Sequence, residues 1–424
     1  MIYDTEDKIE KVILIAVVRK GSDRSKTEEN LEELSRLAET AGALIADTLT
    51  QEVEKPNPAT ALGSGKVDEL KLLAMEQEAT LVIFDDELSP AQVRNLERIL
   101  EIKVMDRSGL ILDIFVKHAK TLEAKTQVEL AQLEYLLPRL SRMWTHLSKQ
   151  YGGIGTKGPG ETQIETDRRI IRERIQKLKA KLKDIDKQKE VRRKGRQSLP
   201  RFALVGYTNA GKSTLMNAIS GSDVYVEDKL FATLDTTVRS FDLPSSLQAI
   251  ISDTVGFIRK LPTHLIASFR STLNEAAEAD VLVHVVDASH EGFRDQIMIV
   301  DQTLESLKIK DKPTILVFNK TDIMEDYQGV LKRIEAEYPN SIFVSAKRNI
   351  NINKLLELFQ AEYDGSSQIF NFTIPYDDMA NVAKLYDFVE IVSRNDSDQG
   401  IELSVKVNSE KQDHFKNVFG KYLH

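Results

Sequence analysis

The eight residues Gly206-Tyr207-Thr208-Asn209-Ala210-Gly211-Lys212-Ser213 constrain this chain more than any other stretch. They spell G-x-x-x-x-G-K-S. They lie between a strand-like run at 202–205 and a helix-like run at 214–219. A strand that turns through glycines into a helix belongs in a parallel sheet covered by helices. The loop N–H groups and the helix N-terminus together favour a phosphate. Lys212 is placed to reach β- and γ-phosphates, and the Ser213 hydroxyl to hold Mg²⁺. This motif alone serves an ATPase or a GTPase equally well.

Later motifs narrow the choice. Asp253-Thr254-Val255-Gly256 follows a strand-like run at 247–252. Its spacing suits an Asp on the Mg²⁺ shell, through a water, and a Gly whose N–H meets the γ-phosphate. Asn319-Lys320-Thr321-Asp322 follows a strand-like run at 314–318. The Asp322 carboxylate can accept the N1–H and the exocyclic N2–H₂ of guanine, whereas adenine presents neither donor there. Ser345-Ala346-Lys347 follows 342–344 and would close over the base. Four short motifs in this order, each behind a strand, point to GTP. Between the first two lies Phe231-Ala232-Thr233-Leu234-Asp235-Thr236-Thr237. A threonine here is expected to bind Mg²⁺ and report the γ-phosphate. Three candidates exist, and the local sequence does not choose among them. The glutamine that would orient water after D-x-x-G is missing, because Phe257 stands there. A phenyl ring cannot hydrogen-bond a water.

At 424 residues the chain is long enough for two to four domains. Hydrophobic residues make up 41% and charged ones 29%, the balance of a globular protein without membrane spans. The longest apolar run, 12–18, is strand-sized, and the acidic N-terminus resembles no targeting peptide. A cytoplasmic address is expected, with peripheral contact at a membrane kept open. Cysteine is absent, which excludes disulfides, thiol catalysis, iron–sulfur clusters and cysteine zinc sites.

Charge is distributed unevenly. Fourteen basic and four acidic residues lie between Arg168 and Arg196, a net +10, so the remainder of the chain carries −18. A basic arm on an acidic body suits a polyanion met by one element only. The same region reads as helical. Leu130, Leu133, Leu137, Leu140, Trp144 and Leu147 step by three and four, as do Ile171, Ile175, Leu178, Leu182 and Ile185. Two stripes joined by a glycine-rich turn predict an antiparallel hairpin whose apolar stripe is its own seam. Each helix is expected to run roughly 25–30 residues, projecting on the order of 40 Å, and Pro138 should kink or interrupt the first. Gly153-x-Gly155-x-x-Gly158 matches a dinucleotide fingerprint formally, but a helix-like segment precedes it where a strand is required. Glycines at the tip of a basic arm permit close approach to an RNA backbone. Lys157, Lys177, Lys181, Arg192 and Arg193 are the candidate contacts.

The first hundred residues alternate strand-like and helix-like runs, predicting a small parallel sheet. Gly63-Ser64-Gly65-Lys66 hints at a second phosphate loop, but Thr60 stands where its first glycine would be. Beyond 366, strand-like runs at 369–374, 389–393 and 401–407 and helix-like runs at 377–387 and 410–422 predict a small α+β unit. The expected fold is therefore α/β and multidomain. Residues 1–108 form a parallel-sheet domain and 109–198 a basic hairpin with its tip at about 151–162. Residues 199–364 form a GTPase domain with a parallel sheet, and 366–424 the α+β appendage.

These residues carry a family resemblance. The GTPase segment is similar to the translation-factor-related class with Asn in the phosphate loop, and the chain from about 12 to 361 resembles the HflX family of ribosome-associated GTPases. The matching stretches are 206–213, 231–235, the long run 152–169 and, in the first hairpin helix, 123–132. The resemblance implies that Thr233 is the switch threonine, with Thr236 and Thr237 in reserve, and that Ser213 and Thr233 hold Mg²⁺. It further implies a K⁺ ligand at Asn209, which would supplement charge where an arginine finger would sit. One departure is Asp235-Thr236, where many relatives carry Asp-Pro; it alters loop stiffness and removes no ligand. The resemblance also implies slow basal hydrolysis stimulated by the large ribosomal subunit, and splitting of stalled or idle ribosomes; a monomer is expected. Alternatives are a large-subunit assembly factor, a GTP switch acting on a protein partner through a coiled-coil arm, and an ATP-dependent role for the N-terminal domain.

Overall fold

A computed structural model of the chain describes residues 10–21, 23–142, 159–193, 199–221, 229–260, 275–324, 327–365, 367–378, 385, 390–397, 400–408 and 412–422. Trp144, Leu147, Lys157 and most of the glycine-rich turn lie outside them, as do the side chains of Arg192 and Arg193. The chain divides into two units. One comprises 1–183, 228–234 and 260–269, and the other 184–227, 235–259 and 270–424.

The first unit begins with strands β1 (Lys11–Arg19), β2 (Leu44–Val53), β3 (Leu81–Phe84) and β4 (Lys103–Asp106), all parallel, in the order β2-β1-β3-β4. Helices α1 (Arg24–Thr40), α2 (Ser64–Glu76) and α3 (Pro90–Leu100) connect them. The continuous apolar runs predicted this, because a parallel strand is covered on both faces. Ile13, Ile15, Val82, Phe84, Leu70 and Leu96 form the core. Gly63 is the N-cap of α2 and Gly65 lies within its first turn, so this segment is a helix start and not a phosphate loop. Helix α4 (Arg107–His118) follows β4 directly, capped by the Asp106 carboxylate, which accepts from Gly109 N–H at 2.9 Å.

Arg107 is almost fully buried. Its guanidinium donates to Asp85 at 2.6 Å and to Glu33. Lys260, which belongs to this unit, reaches Asp86 at 2.6 Å and also contacts Asp85. Phe231 belongs here too, its ring edge-on to Phe115 at 4.8 Å between centroids. Residues 229–234 group by contacts with this unit, although they stand between GTPase motifs in the sequence. That outcome follows from burial of Phe231, which no local pattern reveals.

Helices α5 (Leu122–Leu136) and α6 (Pro159–Arg193) form the hairpin. Leu130, Ile175 and Leu178 are buried together, flanked by Leu133, Leu137, Ile171 and Leu182. This is the seam the spacing predicts. The lengths differ from the expected 25–30 residues: α5 has 15 and α6 has 35. Helix α5 stops two residues before Pro138, whose ring cannot continue it. Arg174 and Lys179 pair with Glu129 and Glu134 across the seam at 2.7 and 2.8 Å, so part of the basic charge serves the hairpin itself.

The second unit is built on six strands: β5 (Arg201–Gly206), β6 (Thr237–Asp242), β7 (Gln248–Asp253), β8 (Val281–Asp287), β9 (Thr314–Asn319) and β10 (Ser341–Phe343). Their order is β10-β9-β8-β5-β7-β6. Every pair is parallel, as expected of this sheet, except β6 with β7, a hairpin that adds β6 as an antiparallel edge. Helices α7 (Lys212–Ser220), α8 (Phe293–Ser306), α9 (Tyr327–Glu337) and α10 (Ile352–Gly365) join or flank the strands. One layer of the core packs Phe202, Phe241 and Phe359 with Leu215 and Val283. Another packs Val205 and Phe257 with Leu282 and Val300.

Beyond α10, strands β11 (Ser367–Ile374), β12 (Glu390–Ser397) and β13 (Gly400–Asn408) form an antiparallel sheet in the order β11-β13-β12. Helix α11 (Gln412–Phe419) packs on it through Phe415 and Phe419. The helix expected over 377–387 falls mostly outside the described residues, which show a 3-10 turn at Tyr376–Asp378.

Candidate functional site

The phosphate loop turns sharply at its first residue. Gly206 has φ +153°, and a Cβ there would lie 2.2 Å from the Val285 carbonyl, so only glycine fits against β8. Gly211 has φ +90°, with Asn319 Nδ2 2.3 Å from where a Cβ would be. Asn209 also adopts a left-handed φ, +60°. Between these points the Lys212 ammonium folds back over the loop, donating to the carbonyls of Gly206 at 3.1 Å and Tyr207 at 2.8 Å. Lys212 is 6% exposed. Burial pushes its pKa down to about 8, Asp253 opposes the shift, and Lys320 adds to it.

Ser213 Oγ donates to Asp253 Oδ2 at 2.5 Å. A hydroxyl on the first turn of α7 and a carboxylate at the end of β7 thus present hard oxygens to one point, the donor set that suits Mg²⁺ beside a phosphate. Thr254 turns inward, its Oγ1 donating to the Leu204 carbonyl at 2.7 Å. Gly256 approaches the loop so closely that a Cβ would sit 2.6 Å from Thr208 Cα. Phe257 N–H donates to the Gly206 carbonyl at 3.1 Å, and Thr208 N–H donates to the Phe257 carbonyl at 2.7 Å. The Phe257 ring is 2% exposed and lies in the core, so the position of the missing glutamine is buried.

Three motifs converge on Asn319. Its Nδ2 donates to the Ala210 carbonyl and its Oδ1 accepts from Ala346 N–H, both at 3.0 Å. Thr321 Oγ1 donates to the Val344 carbonyl at 3.0 Å. Asp322 Oδ1 accepts from Ser345 Oγ at 2.7 Å. That hydrogen bond is the largest cause holding the Asp322 carboxyl below its usual range, with Arg348 a smaller one. Lys320 has φ +63°, and its ammonium meets Asp287 at 2.8 Å. Asp287 in turn accepts from Ser289 N–H at 3.0 Å and Oγ at 2.6 Å. Asp287 escaped the sequence reading. A carboxylate at the end of the neighbouring strand was the available signal.

Within the second unit the structure therefore brings together Gly206–Ser213, Asp253–Gly256, Asn319–Asp322 and Ser345–Ala346. Phe231, Ala232, Thr233 and Leu234 fall in the other unit, whereas Asp235 and Thr236 fall in this one. On α6, Lys177 and Lys181 are exposed. They make no ion pair among the described residues.

Similarity to known proteins agrees with this geometry. Residues 201–320 match the family described as 50S ribosome-binding GTPase. Residues 28–116 match the GTP-binding GTPase N-terminal family and 118–196 the GTP-binding GTPase Middle Region. A GTPase HflX of Caldanaerobacter subterraneus is 43% identical over 96% of this chain and 93% of its own length. One of Flavobacterium psychrophilum is 56% identical over 74% of this chain and 76% of its own. One of Escherichia coli is 42% identical over 88% and 87%. A phosphate-loop cradle braced through Asn319, in a chain of which these relatives match 74–96%, makes this protein a GTP-hydrolysing member of the GTPase HflX family.

Proposed function

We propose that this chain is a GTP-driven switch that docks on the large ribosomal subunit in its GTP state and dissociates stalled or idle ribosomes. The observation that carries the reading is the presence, in one chain, of the nucleotide cradle and of α6, which has exposed Lys177, Lys181 and Lys183 on a helix whose apolar stripe is already filled by α5. Exposed cations on a long helix suit the phosphates of RNA. A filled seam argues against a protein partner docking through that stripe.

Each residue has a role in this reading. The N–H groups of the phosphate loop and Lys212 bind the phosphates, and Asp322 selects guanine. Mg²⁺ would be held by Ser213 and Thr233, with Asp253 behind a water, and it would supply charge neutralisation at the γ-phosphate. Asn209 is the proposed K⁺ ligand. Lys157, Lys177, Lys181, Arg192 and Arg193 meet ribosomal RNA. The buried Phe257 ring leaves water positioning to a group that docking supplies, and basal hydrolysis is accordingly slow.

Co-sedimentation with isolated large subunits tests the reading. Pelleting is expected with a non-hydrolysable GTP analogue, weaker with GDP, and lost when Lys177, Lys181 and Lys183 are changed to Gln. Binding should also weaken steeply between about 50 and 200 mM salt, as counterion release requires. Absence of pelleting in every nucleotide state would overturn it. Purified assembled ribosomes then separate splitting from assembly, because only a splitting factor dissociates them.

A further inference from the structure

Asp322 has a second partner. Its Oδ1 is held by Ser345, while its Oδ2 lies 3.4 Å from the Nε of Arg348. Arg348 N–H also donates to Ser345 Oγ at 3.2 Å, which fixes the arginine backbone beside the carboxylate. The two side chains differ sharply in freedom: that of Asp322 is 9% exposed and that of Arg348 is 68%. The carboxylate is built into the loop, and the guanidinium lies over it from solvent.

Guanine and arginine address such a carboxylate in the same way. Guanine offers it two nearly parallel donors, N1–H and N2–H₂. A guanidinium offers the same kind of planar donor fork. Here the Arg348 contact is made by Nε alone, on Oδ2.

We propose that Arg348 is a specificity-determining residue that competes with the guanine edge for the Asp322 carboxylate and must swing away as the base enters. The inference rests on the assignment of Asp322 to guanine. Arg348 screens the carboxylate from other cations and donors, and only a ligand with a matching donor pair displaces it. Because the arginine is mostly solvated, the competition is weak, as for other exposed ion pairs. It lowers guanine nucleotide affinity about two- to fivefold, mostly through slower association.

The test is a thermodynamic cycle on the full-length protein. GDP affinity is measured for the parent, Arg348→Ala and Arg348→Lys. XDP affinity is measured for Asp322→Asn and for Asp322→Asn combined with Arg348→Ala. An asparagine amide donates to the C2 carbonyl of xanthine and leaves Arg348 no carboxylate to occupy. Expected is GDP binding two- to fivefold tighter in Arg348→Ala, an intermediate value in Arg348→Lys, and equal XDP binding by the two proteins that carry Asp322→Asn. Unchanged or weaker GDP binding in Arg348→Ala overturns the proposal. Equal tightening for XDP also overturns it, because the effect would then be a general field at the phosphates. If Asp322→Asn does not fold, IDP replaces XDP. Hypoxanthine lacks the N2 amino group and leaves one carboxylate oxygen to Arg348, so the gain in Arg348→Ala must be smaller for IDP than for GDP. An equal gain overturns the proposal. A parent protein that binds no GDP instead refutes the guanine assignment itself.

Discussion

The backbone N–H of Thr208 donates to the carbonyl of Phe257 at 2.7 Å, tying the phosphate loop to the residue after Gly256. The Phe257 N–H returns a bond to the Gly206 carbonyl at 3.1 Å. This two-way connection sends the Phe257 ring into the core. Restoring a glutamine there is therefore expected to fail as a gain of catalysis. Phe257→Gln buries an amide among Val205, Leu282 and Val300, and should cost about 2–4 kcal/mol of stability. Basal phosphate release should not rise. Phe257→Leu should cost about 1–2 kcal/mol and leave GDP binding intact. Urea unfolding and a phosphate-release assay check both, and a faster basal rate in Phe257→Gln would contradict the placement of the ring.

Lys212 makes nucleotide binding sensitive to alkaline pH. Burial lowers its pKa to about 8, and a bound phosphate favours the charged form and raises it again. Protonation and nucleotide binding are thus linked. GDP affinity should be flat below about pH 7.5 and fall about tenfold by about pH 9. A titration of GDP affinity across that range measures this, and a flat profile would rule out the linkage.

His284 sits on β8, 3% exposed, and its pKa is lowered to about 3 by burial first and by Lys212 second. Asp301, whose carboxyl is raised by burial, lies 3.9 Å away. In the unfolded chain the imidazole protonates as pH falls through about 6.5, whereas in the fold it stays neutral. Its contribution is present above pH 6.5 and is lost as pH falls toward 3, at a limiting slope on the order of 1.4 kcal/mol per pH unit. His284→Gln should flatten the acid side of the stability profile between about pH 6 and 4, as read by thermal denaturation of parent and variant.

In the N-terminal unit, Arg107 lies between Asp85 and Glu33 and is 1% exposed. Arg107→Met removes the cation shared by Glu33 and Asp85 but leaves Lys260 on Asp85, a loss of about 3 kcal/mol. Adding Asp85→Asn should recover part of it, and strict additivity in urea unfolding would show that the pair is uncoupled.

Much of this fold is written locally. The apolar runs at 12–18 and 202–205 became β1 and β5, and the stripe of Ile171, Ile175, Leu178 and Leu182 became the face of α6 that meets α5. Such patterns are legible because a strand or helix face repeats every two or three to four residues along the chain itself. Motif order likewise announced the site, since each tetrapeptide ends a strand of one sheet. Other features arise between residues far apart in sequence. The inward Phe257 ring, the Asp287–Lys320 and Asp322–Arg348 pairs, and the union of Phe231 with Phe115 all depend on contacts that tertiary packing creates. The sequence by itself determined which elements form and what chemistry they carry. Only the folded chain decided which faces are buried and which charges meet, because burial and pairing depend on distance in space, and local periodicity carries no record of that distance.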